Sequence, residues 1–305
     1  MKILLLAMVL LSQCSTATTN TPKPAKATTT IHSSSVSIPA SFATISNAED
    51  KKSIESLLHK YAGHKAEPQK LIIALAREFK GVPYVAKTLE NDSTESLVVN
   101  TRQLDCTTYV ENVVALYLCV KNRKTTFSDY CTYLRRVRYA DGKVSYPTRQ
   151  HYFSEWIYEN TKDGFVKEIQ SPNPPFTALQ RLRIDFMSTH TPLYPMLKNN
   201  PEMVAPIADM EKRLTGNTYR YIPKSAIANT RLLRNTIHDG DIIAITTSKQ
   251  GLDTSHIGIA VWHSDGLHML NASQIHKKVV EEPMTLYKYM QKHPSQTGIR
   301  IIRVL

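Results

Sequence analysis

Glycine is scarce in this chain. Ten glycines in 305 residues are too few for a repeat or an all-turn architecture, and no self-similarity at solenoid or propeller periods is visible. Long hydrophobic runs are also lacking: the longest, residues 3–11, is too short to span a bilayer. The 11 histidines show no i, i+4 pairing around a carboxylate, so the helical zinc-hydrolase signature is missing and no metal or other cofactor is expected. The formal charge is +12, yet the basic residues form no stripe with interleaved aromatics, which argues against nucleic acid as a partner. The excess charge suits anionic cell wall, lipid head groups, or simply a solvated basic surface.

What is present at the N-terminus is a leader. Met1-Lys2, the apolar residues 3–11 and then Ser12-Gln13-Cys14-Ser15-Thr16-Ala17 read as a secretory signal over 1–17. Cleavage near Ala17 and lipid attachment at Cys14 are both open, and either one places the protein outside the cytoplasm, periplasmic or associated with the outer membrane. Residues 18–49 are dominated by Ser, Thr, Ala, Pro and Lys and cannot bury enough apolar surface to fold. The rest, 50–305, is long enough for one sizeable domain.

Leu71, Ile72, Leu75, Ala76 and Phe79 recur at helical spacing, and Gly81-Val82-Pro83-Tyr84 ends that helix and holds Tyr84 at a turn. From Tyr109 to Val120 apolar residues cover nearly the whole helix circumference, the pattern of a central, buried helix. The C-terminal third carries short β-branched runs at 241–246, 256–262, 267–273, 277–280 and 298–304, an antiparallel meander. Helices first and strands afterwards predict an α+β layer fold.

Cys106, in Asp105-Cys106-Thr107-Thr108, opens the buried helix. A thiol in a first helical turn feels the partial positive charge of unpaired N–H groups, which favours thiolate. His256, in Ser255-His256-Ile257-Gly258-Ile259, opens a strand and can serve as its base. Export permits a disulfide between Cys119 and Cys131, although free buried thiols are the commoner fate of such positions.

Gly81-Val82-Pro83-Tyr84, Asp105-Cys106-Thr107, Gly240-Asp241-Ile242-Ile243, Ser255-His256-Ile257-Gly258-Ile259 and Asn271-Ala272-Ser273 resemble, in this order, the motifs of the NlpC-type cell-wall cysteine hydrolases. The closer resemblance, through residues 105–112, His151-Tyr152-Phe153 and Glu155-Trp156-Ile157, is to a branch of N-acetylmuramoyl-L-alanine amidases acting on anhydromuropeptides. It implies a papain-like fold, with the nucleophile helix packed on a small antiparallel sheet and a large insertion between them. It also implies a triad of Cys106, His256 and Asn271. Asn271 stands where the family usually has histidine; its side-chain oxygen can still accept the imidazole N–H and fix the tautomer. His268 competes for this role, and period-two alternation puts it on the opposite strand face from Asn271.

The resemblance further implies peptidoglycan muropeptides as partners and substrate contacts at Asp105, Thr107 and Ser255; the chain is expected to be a monomer. Tyr84 is a candidate second oxyanion donor beside the N–H groups of the helix start. Loops and insertions over a rigid scaffold usually carry specificity, so residues 138–235 are the expected recognition insertion, with His151 as a substrate contact and Trp156 as packing. Glu111, among apolar neighbours, is expected to pair with an arginine such as Arg149. Two alternatives remain open: a γ-D-glutamyl endopeptidase using the same Cys106 and His256, and a non-catalytic glycan-binding lipoprotein.

Overall fold

The protein is described here by a computed structural model covering residues 43–65, 67–90 and 94–305. The leader, Cys14 and most of the tether lie outside the described residues. The folded unit begins before the expected boundary at 50. Strand β1 (Thr44–Ile45) pairs in parallel with β2 (Leu97–Val98), and Asn47 caps helix α1 (Ala48–Lys60) in a reciprocal capping box with Asp50. Composition alone hid this, because a two-residue strand and a polar cap carry no hydrophobic pattern.

Helices α2 (Pro68–Arg77), α3 (Cys106–Lys121) and α4 (Phe127–Arg138) follow. Every residue of α3 from Thr108 to Val120 is buried, as its all-round apolar sequence predicts. Then come α5 (Phe153–Lys162), β3 (Val166–Ile169), β4 (Ala178–Arg181), α6 (Phe186–Thr189), α7 (Pro201–Leu214), β5 (Thr218–Pro223) and α8 (Arg231–Thr236). The C-terminal part is β6 (Ile242–Thr247), β7 (Thr254–Trp262), β8 (Leu267–Ser273), β9 (Lys278–Glu281), α9 (Leu286–Gln291) and β10 (Gln296–Val304).

The class is α+β with an antiparallel sheet of eight strands. Strands β6 to β9 form the expected meander, whereas β10 returns to the other side of β6. Period-two alternation gives the sheet two apolar faces. Ile242, Ala244, Ile257, Ile259, Leu270 and Ala272 face α3 and α4 in one core, while Ile243, Ile245, Ala260, Met269 and Ile299 enter a second core with α9. Both faces are covered, so β6 reads as a continuous apolar run.

The segment expected as a separate recognition insertion, 138–235, is divided between roles. Its strands β3 and β5 pair with β10 in the main sheet, and Trp156 of α5, with no exposed surface, packs in the α3 core. A third apolar cluster, including Tyr146, Tyr152, Met187, Ile207 and Met210, is the part that stands apart. The physical reason is β10: it is longer than β6 needs, and its free edge would leave backbone groups unpaired without β3 and β5.

Two of the sequence motifs are architectural. Gly81 donates its N–H to Val279 O and Tyr84 to Lys277 O, so residues 81–84 lie along β9, while Leu104 N–H donates to Pro83 O. That lattice fixes the chain just before Cys106. Gly240, at φ +82°, sits where a Cβ would come 3.1 Å from the Gln69 carbonyl oxygen, and Asp241 accepts from Arg303 Nη2 at 2.7 Å, tying β6 to β10.

Candidate active site

Cys106 is the first residue of α3, and its place is set by the residues on either side. Asp105 caps the helix: its Oδ1 accepts from Thr108 N–H at 2.8 Å, and Thr108 Oγ1 accepts from Asp105 N–H at 2.9 Å. Among the first-turn donors that leaves the N–H groups of Cys106 and Thr107 unused by the cap, close to the thiol. Asp105, expected to touch substrate, therefore has one carboxylate oxygen committed to the helix end.

His256 lies on β7 and Asn271 on β8. The ladder pairs Ile259 with Leu270, so one step further Gly258 stands opposite Asn271, and His256 shares a face with Asn271 as its diagonal neighbour. Glycine at 258 is required by the close approach: a Cβ would come 2.7 Å from Leu270 O and from Met269 Sδ. Asn271 Oδ1 accepts from His256 Nε2 at 3.0 Å, and Asn271 Nδ2 donates to Met269 O at 3.3 Å, which orients the amide. Because Oδ1 can only accept, Nε2 carries the proton and Nδ1 is left as the base nitrogen. His268 takes no part; its nitrogens engage the Glu282 carbonyl and Asp265.

Cys106 and His256 line one cavity of ≈ 240 Å³, with Thr107, Ser255 and His151 in its walls. Thus five of the expected site residues share this cavity, and Asn271 stands behind His256. Tyr84 does not line it; it packs half-buried beside the α3 core, where burial and the neighbouring Cys106 and Asp105 push its hydroxyl up to about 12. It stays a protonated donor. A second cavity of ≈ 190 Å³ adjoins the first along Thr107, Gln150, His151 and Tyr194, and adds Lys87, Glu90, Asp105 and Arg149.

Burial pushes the Cys106 thiol up to about 12, with Asp105 adding to the shift, while contacts from Ile257 and Thr107 pull the other way. This corrects the expectation of a resting thiolate: the helix end has a carboxylate on it. Burial lowers His256 below the ordinary imidazole value, offset by the Asn271 hydrogen bond. Both shifts favour the uncharged forms, which suits a general-base arrangement in which His256 acts as the neutral ring. kcat/KM should therefore rise with pH through an ionisation below 6.5 and hold level across neutrality, whereas an acid limb above that value would contradict a buried, desolvated base.

His151 precedes α5 rather than opening it, since the helix begins at Phe153. Its Nε2 donates to Tyr146 O at 2.8 Å, and burial, with Arg149 nearby, pushes it down to about 3, so it is a neutral ring with Nδ1 left as an acceptor. Glu111 pairs with Arg138, Oε2 to Nε 2.6 Å, not with Arg149, which binds Glu90 and Glu95 instead. Helix α4 packs directly on α3 and delivers Arg138 from its last turn; Arg149 precedes α5 and donates from Nη1 to Leu89 O at 3.0 Å. Cys119 and Cys131 are both buried free thiols.

Two residues of the site were not found from sequence. Asp253 accepts Ser154 N–H at 2.6 Å and Thr254 N–H at 2.7 Å. It thereby caps α5, whose own N-cap Tyr152 offers no side-chain bond, and holds two cavity walls together. Gln150 is buried with its Nε2 lacking a partner and lines both cavities. Adjacency to His151 and Ser255 was the available signal.

Residues 74–299 match the family described as AmiA-like, N-acetylmuramoyl-L-alanine amidase-like. A crystal structure of an N-acetylmuramoyl-L-alanine amidase from Bacteroides uniformis is 37% identical, with TM-score 0.73, covering 79% of this chain and 100% of that one. A protein described as a putative xylanase from Bacteroides fragilis is 40% identical, with TM-score 0.70, over 76% of this chain and all of that one. A Legionella pneumophila protein at 24% identity shares the fold, with TM-score 0.63 over 84% and 95% of the two chains. No curated protein matches. The chain belongs to the N-acetylmuramoyl-L-alanine amidase-like family, and the class of chemistry that membership assigns is amide hydrolysis.

Proposed function

We propose that this protein is a cysteine-dependent N-acetylmuramoyl-L-alanine amidase that cuts the lactyl–L-alanine amide of peptidoglycan fragments, in a papain-like, NlpC-type fold. The observation that carries the reading is the side-chain bond from His256 to Asn271, which leaves Nδ1 as the base in the cavity that Cys106 borders. His256 Nδ1 takes the thiol proton as Sγ attacks the amide carbonyl carbon. The oxyanion is met by the N–H groups of Cys106 and Thr107. When the C–N bond breaks, His256 returns the proton to the leaving amine, and water activated by His256 hydrolyses the thioester.

The adjoining charged cavity favours a substrate with both a sugar and a carboxylate-bearing peptide; Lys87 and the Gln150 amide offer donors there. Glycan cleavage is a poorer fit, since glycosidases place two carboxyl groups across the scissile bond. Asp253 is the one carboxylate among the described residues lining the Cys106 cavity, and backbone N–H groups hold both its oxygens. Export, with the folded domain free or tethered through Cys14, fits a substrate of the cell wall.

The test is mass spectrometry of the products from an anhydro-disaccharide tetrapeptide and from a stem peptide lacking sugar. Disaccharide plus intact tetrapeptide is the expected result. Cleavage within the stem peptide would make the protein an endopeptidase, and tight binding with every amide intact would make it a glycan-binding protein. Asn271→Ala should lower kcat by about 10²-fold, the low end of a general base's contribution, while Asn271→Asp, which keeps an acceptor oxygen, should recover much of it; an unchanged rate in the alanine variant would remove Asn271 from the site.

A further inference from the structure

The turn between β7 and β8 gathers His263, Asp265 and His268, one potential ligand atom from each lying within 4.8 Å of the others. We propose that this cluster is a divalent transition-metal site, of the class that binds Zn²⁺, which staples the β7–β8 hairpin. It lies at the far end of β7 from His256, so it is separate from the candidate active site.

The hydrogen bonds around the cluster carry the argument. His268 is 3% exposed. Its Nδ1 donates to the Glu282 carbonyl at 2.8 Å, which leaves Nε2 as a bare lone pair. That lone pair lies 2.9 Å from Asp265 Oδ1, itself an acceptor. Two acceptors at this separation need a cation between or beside them, either a proton or a metal. His263 repeats the pattern: its Nε2 is 2.7 Å from Glu281 Oε1, so the N–H points at a carboxylate and Nδ1 is left unprotonated. An imidazole ligand whose second nitrogen is held by a carboxylate or a carbonyl is the arrangement that metal sites use to fix tautomer and basicity.

The two rings stack with centroids 4.1 Å apart at 19°, so ligation of one ion requires the His263 ring, on the exposed side, to turn out of the stack until both lone pairs meet the metal. Glu281 is in turn held by Arg77, Nη2 to Oε1 3.0 Å. An N₂O donor set suits Zn²⁺, Co²⁺, Ni²⁺ or Cu²⁺ better than Mg²⁺ or Ca²⁺, which prefer oxygen. Water would complete a tetrahedral shell at the exposed side. The sequence spacing His-x-Asp-x-x-His fits no helical zinc motif, because the ligands converge through a hairpin turn.

Such a staple would hold the register of β7 against β8, the same register that places Asn271 beside His256. It does not depend on the amidase reading. The test uses the full chain without a histidine tag and carrying Cys106→Ala, so that the active-site thiol cannot bind the probe. Chelator-treated protein titrated with Zn²⁺ should take up one equivalent by elemental analysis after dialysis, and its Tm should rise by about 5 °C at saturating zinc. Co²⁺ in its place should show the intense visible absorption of a tetrahedral site. Asp265→Asn and His263→Ala, at the exposed side of the turn, should fold normally by circular dichroism and lose the bound equivalent. No zinc uptake, or uptake unchanged in both variants, would overturn the proposal and leave a shared proton between His268 and Asp265.

Discussion

Replacing Cys106 by alanine should reduce amide turnover at least about 10⁴-fold and change Tm little. The size of the loss follows from the role: without Sγ there is no acyl-enzyme, and the N–H groups of the first turn and the binding cavity alone remain. The small structural effect follows from placement, since the side chain borders the cavity and the helix end is held by the Asp105–Thr108 box. Alkylation gives an independent reading. Cys119 and Cys131 are buried, whereas Cys106 borders the cavity and is the more accessible thiol. Loss of activity with iodoacetamide should therefore follow labelling of Cys106, mapped by peptide mass. Turnover that survives in the alanine variant would end the cysteine mechanism.

Breaking the Glu111–Arg138 pair should cost about 3–5 kcal/mol of stability. Both side chains are almost wholly enclosed. Burial raises the Glu111 carboxyl while Arg138 pulls it down, and Arg138 is held charged by the same contact. Arg138 Nη1 also donates to Val98 O at 2.7 Å, linking α3 and α4 to β2. Glu111→Leu would strand a guanidinium in the core; the double variant Glu111→Leu with Arg138→Met removes both charges and should recover much of the loss. Urea denaturation of the three variants measures this. Equal destabilisation by the single and double changes would show that the pair's geometry, rather than uncompensated charge, is what matters.

The charge pair also shows where sequence reading reached its limit. An apolar helix with one glutamate demands a buried cation, and that demand is local. Which arginine answers depends on α4 lying against α3, a contact between segments whose separation in the chain says nothing of their distance in space. Arg149, equally basic and nearby, was captured by Glu90 and Glu95. The thiol's protonation was misjudged for a similar reason. A helix start favours thiolate, but the enclosure of Cys106 and the carboxylate capping that same helix end oppose it.

Local chemistry was enough for α3 and for the meander β6 to β9, because period and turn residues report directly on burial and strand face; Cys106 and His256 were singled out by a helix start and a strand start, and Asn271 by the family resemblance. The partner of His256 could be narrowed by alternation to Asn271, but the 3.0 Å bond required the β7–β8 register. Tertiary structure alone decided that the supposed insertion completes the main sheet through β3 and β5, that Asp253 caps α5 across the cavity, and that three residues of a hairpin turn converge as a potential metal site. Each of these is a pairing of groups far apart in sequence or turned together by a loop. A period along one segment records which of its faces is buried; it does not record what is buried against it.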